Sequence, residues 1–200
     1  MAAAAALIAT ACGRSERAAD TTATRMDTSG GNVATPATDT MSKPATRGGW
    51  TDASILAYLR AEDRDEVRVN ELAAKKATNP ALKAFARQMA SDHRASMGEG
   101  KALAAKLHVT FDTTKDESRD VMNRSKDEVK DLTDKKAGPD WDKDYLKMQI
   151  DEHQKVLDKL QDAAKNATDP ELRSALEKVT GKVQEHLTKA QDILNNKLKS

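Results

Sequence analysis

One short pattern occurs twice in this chain, as Lys76-Ala77-Thr78-Asn79-Pro80-Ala81-Leu82 and as Asn166-Ala167-Thr168-Asp169-Pro170-Glu171-Leu172. In each copy a side chain able to cap a helix, Asn79 or Asp169, stands directly before a proline suited to the first helical position. Each copy therefore ends one helix and opens another. On both sides of each turn apolar residues recur at steps of three and four, the mark of amphipathic helices. The pattern predicts four long helices. The first covers residues 52 to about 77, with Ile55, Leu59, Val69 and Ala73 on one face, and the second runs to about residue 108, with Leu82, Phe85, Ala86, Met89, Leu103 and Leu107. A third begins near residue 140 with Leu146, Ile150, Leu157, Leu160 and Ala164, and the fourth runs to about 198 with Leu172, Leu176, Val179, Val183, Ala190 and Ile193. Between the two pairs, residues 115–132 carry a shorter stripe of Val121, Ser125, Val129 and Leu132 that stops before Gly138-Pro139. The expected fold is all-α: a ferritin-like four-helix bundle of two antiparallel hairpins with a long crossover containing a short helix.

Composition narrows the partners. Lys and Arg number 33 against 32 Asp and Glu, the net charge is +1, and aromatics make up only 3%. The interleaved charges form no basic stripe and the few aromatics no stacking platform, so no nucleic acid is expected as a partner. The only cysteine, Cys12, closes a short apolar run and follows Ala9-Thr10-Ala11. Small residues before a lone Cys resemble a bacterial lipobox, cut before the cysteine that then carries lipid. Residues 1–11 read as a signal peptide, 12–49 as the lipidated Cys12 and a disordered tether, and 50–200 as the helical domain. The tether lacks large apolar residues and would reach about 35 Å from a membrane. The expected location is the periplasmic side of the cell envelope, lipid-anchored, and Gly13 after the cysteine points to the outer membrane. Envelope proteins are the expected protein partners.

Candidate chemistry comes from extending the stripes. They carry His93, His153 and His186, each on a different helix, together with Glu62 and Glu66 on the first. Counting about 1.5 Å per residue from the turns, Glu66, His93, His153 and His186 share one level to within about a helical turn, provided the second and third long helices run parallel. Three imidazoles and a carboxylate make a reasonable mononuclear site for zinc, iron or copper, with Glu66, His93, His153 and His186 as ligands. Glu62 and the acids preceding each histidine, Asp92, Glu152 and Glu185, are candidates to orient the rings from outside. The competing reading is a buried polar layer that fixes helix register. A pH sensor is a third. His108, near the end of its helix, reads as a surface residue.

Several stretches resemble, in order and spacing, a bacterial family known as domain of unknown function 4142. They are residues 66–73, Asn79-Pro80-Ala81-Leu82-Lys83-Ala84-Phe85-Ala86, Ser91-Asp92-His93, Trp141-Asp142-Lys143-Asp144-Tyr145-Leu146 and Glu185-His186-Leu187. The resemblance implies an exported, ferritin-like bundle and no established activity. The positions that carry over are Glu66, Asp92, His93, Asp142, Tyr145, His153 and His186, while Trp141 and Gly181 replace a usual Phe and a frequent Pro. The residues three before the histidines are Ala90, Ile150 and Val183, so the Glu-x-x-His pairs of di-iron bundles are missing. No catalytic motif is recognisable. Two functions remain open: a structural or interaction module of the envelope, or a mononuclear metal-binding or redox-protective protein.

Overall fold

A computed structural model describes residues 49–198; the predicted signal peptide, Cys12 and most of the tether lie outside the described residues. The described chain is all-helical and holds no strand. Helix α1 spans Asp52–Lys76, α2 Pro80–Lys106, α3 Asp116–Asp134, α4 Pro139–Asn166 and α5 Pro170–Asp192. A π-helical turn, Ile193–Lys197, follows α5 where the sequence pattern predicted plain continuation, and Asn79 Nδ2 donates to its Lys197 carbonyl.

Local chemistry explains the boundaries. Thr51 and Ser54 form a reciprocal capping box at the start of α1, satisfying two otherwise orphaned donors. Asn79 and Asp169 each accept from the two following free N–H groups, with Pro80 and Pro170 in the first turn. His108, exposed, takes φ 53° and ends α2 in the left-handed conformation. Gly138 turns the chain into α4 with φ 156° and ψ −178°, a region only glycine occupies cheaply.

Helices α1 and α2 pack as one hairpin and α4 and α5 as another, while α3 lies along α1. Its direction follows from its ends. Asp112 N donates to Ala53 O near the start of α1, and Lys76 Nζ, at the end of α1, donates to Leu132 O. The crossover therefore returns the chain to the level of the first turn before α4 begins.

The hairpins are tied reciprocally. Asp142, in the first turn of α4, accepts from Thr78 N at 2.9 Å, Thr78 Oγ1 at 2.7 Å and Asn79 N at 2.7 Å. Asp52, in the first turn of α1, accepts from Thr168 N, Thr168 Oγ1 and Asp169 N. The same interval separates Asp52 from Asp142 and Thr78 from Thr168, so the repeated turn belongs to a repeated clasp. With α4 starting beside the first turn, α2 and α4 run the same way, the arrangement on which the common level of the histidines depended.

Burial divides the interior in two. One apolar block gathers Ile55, Leu56, Leu160, Leu172 and Leu176, and the other gathers Val69, Leu82, Met89, Tyr145 and Leu146. Trp141 stacks on Tyr145 and donates to Leu132 O, pinning the end of α3. A buried polar set accompanies them that includes Glu62, Asp63, Glu66, Asn70, His93, Gln149, Glu152, His153 and His186.

Candidate metal centre

Each histidine reaches the interior from a different helix: His93 from α2, His153 from α4 and His186 from α5. Their ring centroids stand 5.3, 5.6 and 6.1 Å apart, close to an equilateral triangle. One ring nitrogen from each lies within 4.8 Å of the other two. Metal–nitrogen bonds of about 2.0–2.1 Å would draw them closer together than this.

One nitrogen of each ring is held by a neighbour. Asp63 Oδ1 is 2.8 Å from His93 Nδ1, the Gln149 carbonyl is 2.9 Å from His153 Nδ1, and Asp92 Oδ2 is 2.9 Å from His186 Nε2. All three partners are acceptors, so each held nitrogen carries the proton. The others, His93 Nε2, His153 Nε2 and His186 Nδ1, are buried without a hydrogen-bond partner. Carboxylates and carbonyls behind histidines in this way fix the tautomer and aim the lone pair, as they do around metals.

Charge is distributed unequally over the triangle. Burial and the neighbouring His93 push the proton affinity of His153 down to about 4. Burial also lowers His186 to about 4, against the hydrogen bond that it donates to Asp92. Burial opposes the charge on His93 too, but the hydrogen bond to Asp63 and the charges of Glu66, Asp63 and Asp92 outweigh it and raise its pKa. Two rings are thus neutral near pH 7, and His93 is the ring of the three that holds a proton most readily.

The carboxylates predicted around this centre fall in other places. Glu66 is not one of the converging groups: its Oε1 stands 3.9 Å from His153 Nδ1, on the outer side of that ring, and Asn70 and Gln149 donate to its Oε2. Glu62 and Glu152, expected to orient histidines, instead clasp Arg124 of α3 at 2.9 Å each. Glu185 is exposed and paired with Lys182 and Lys189. Asp92 does hold a histidine of another helix. Asp142 serves the clasp, and Tyr145 donates its hydroxyl to Asn70 Oδ1. Those on α1 share a cause. The sequence pattern gives α1 one buried stripe, yet the helix touches α2, α3 and α4 and buries residues on nearly every side. Consecutive residues point about 100° apart, so Glu62 faces α3 while the overlooked Asp63 faces α2. Nothing in the acidic run Glu62-Asp63-Arg64-Asp65-Glu66 distinguishes them in sequence.

A cleft of about 480 Å³ opens between α2 and α5, floored by Leu56 and Leu59 of α1. His93 and His186 line one end and Leu103 and Leu172 the other, a span of about 15 Å along the helix from His93 to Leu103. Its walls are largely apolar.

Fold and site together define an all-helical protein with a buried histidine triangle that a cleft reaches at one end. A family model described as a domain of unknown function, DUF4142, matches residues 35–193. The chain belongs to that family. No curated protein and no solved structure matches it.

Proposed function

We propose that this protein is a lipid-anchored envelope protein that holds one transition-metal ion inside a ferritin-like four-helix bundle. The observation that carries the reading is the meeting of three buried histidines from three helices, each with one ring nitrogen fixed by Asp63, Gln149 or Asp92 and the other unpartnered. An unsatisfied buried acceptor costs about 1–3 kcal/mol, so the three lone pairs call for a shared ligand. His93, His153 and His186 would supply three neutral donors suited to zinc, copper or iron, and the nearby carboxylates would offset the ion's charge.

One competing arrangement has a specific observation in its favour. The raised proton affinity of His93 would let a doubly protonated ring donate to a trapped water, which in turn donates to His153 and His186. Metal analysis of tag-free protein separates the two. The metal reading expects about one ion per chain, lost in His153→Ala. A metal-free wild type whose melting temperature ignores chelators would leave the water arrangement in its place.

The bundle assignment is supported by the two hairpins, the reciprocal clasps and the returning crossover. Anchoring rests on Cys12 and its small-residue approach. None of the described helices is long and apolar enough to cross a membrane. Two or more acyl chains on Cys12 would give stable attachment. Cys12→Ser should move the protein to the soluble fraction of cells, and unchanged partitioning would remove the lipoprotein assignment.

A further inference from the structure

The histidine triangle has three nitrogen donors, and among the described residues no carboxylate joins them. Asp63 and Asp92, which also line the histidine end of the cleft, are already engaged on the outer nitrogens of His93 and His186. The cleft is the open side of the histidine triangle, and its lining holds one sulfur donor. Met97 lies one turn beyond His93 on α2 and lines the same cleft. Residues four apart on a helix share a face, and long side chains lean toward the helix N-terminus, so Met97 leans back over the turn that carries His93. It is only partly buried, and methionine's unbranched side chain readily changes shape.

We infer that the Met97 thioether completes the three-histidine centre and makes it selective for copper(I). The inference rests on the metal reading above and adds the identity of the ion. Thioether sulfur is a soft donor that favours copper(I), whereas zinc is satisfied by imidazoles and a water or carboxylate. Three neutral imidazoles and a neutral thioether suit a monovalent ion. The cleft gives that ion a path to its ligands without unfolding the helices.

Competition titrations on the full chain test this, with copper(I) measured against bicinchoninate under anaerobic conditions and zinc against a chromophoric chelator. Met97→Leu, close in volume, should weaken copper(I) binding by about tenfold or more while changing zinc affinity by less than about twofold. X-ray absorption of copper-loaded wild type should show a sulfur neighbour that Met97→Leu lacks. His153→Ala should lose both metals. If copper(I) affinity is unchanged in Met97→Leu, or zinc falls equally, the inference is overturned while the three-histidine reading stands. A wild type that binds neither metal overturns both.

Discussion

Replacing Arg124 with Met isolates the role of the crossover helix. Its guanidinium lies 2.9 Å from Glu62 and 2.9 Å from Glu152, with Glu128 at 3.2 Å. The side chains of Glu62 and Glu152 are only 10% and 9% exposed, so removing the cation strands two buried carboxylates. Breaking a buried pair costs about 3–5 kcal/mol, and because Arg124 is 29% exposed the lower end, about 3 kcal/mol, applies. The loss must depend on pH. Burial already raises Glu62 to about 7, even with Arg124 pulling it down, so below that pH the carboxyl is protonated and needs no cation. Urea unfolding at pH 5 and pH 8 should give a clearly larger loss at pH 8, and adding Glu62→Gln should recover part of it. A loss below about 1 kcal/mol, or one equal at both pH values, would refute the view that Arg124 stabilises α3 by neutralising buried acid.

Two other outcomes follow from the same structure. His153 and His186, held near 4 against an unperturbed value of about 6.5, contribute stability that is complete above pH 6.5 and lost as pH falls toward 4. Each depression of that size corresponds to about 3 kcal/mol. The melting temperature of metal-free protein should therefore drop across that window, and His153→Gln should flatten the drop; an unchanged slope would contradict buried neutral rings. Asp142→Ala, at a site 1% exposed, should cost about 2–3 kcal/mol by stranding donors at Thr78 and Asn79. The more open Asp52→Ala should cost about 1 kcal/mol. Equal losses in chemical denaturation would mean that burial does not set the strength of the two clasps.

The elements were legible in the sequence because their boundaries are chemical: the Asn79-Pro80 and Asp169-Pro170 starts and the Gly138-Pro139 break act through local backbone sterics alone. The meeting of His93, His153 and His186 was legible too, since each sits on an apolar stripe whose height follows from counting residues. What could not be read was azimuth on a helix covered from several sides. Glu62 and Asp63 differ by one position, and only the placement of α3 against α1 decides which meets a guanidinium and which an imidazole. Arg124 was invisible for the same reason, because a basic residue in an acidic amphipathic helix reads as solvated until its neighbours are known. The meeting of the three histidines, and the cleft that Met97 lines together with His93 and His186, depend on all of α1, α2, α4 and α5 at once.

The exchange of aspartates between the two hairpins bears on how the chain fails as well as how it holds. Thr78, Asn79, Thr168 and Asp169 find their acceptors on the opposite hairpin, so neither half can present a finished turn by itself. Loss of one half removes the acceptor of the other's turn at the same moment, which favours a single all-or-none transition over stepwise fraying. The covalent link between the halves carries none of this reciprocity. A protease nick at the exposed Thr113-Thr114 pair ahead of α3 should leave both pieces clasped, travelling together until a denaturant releases them.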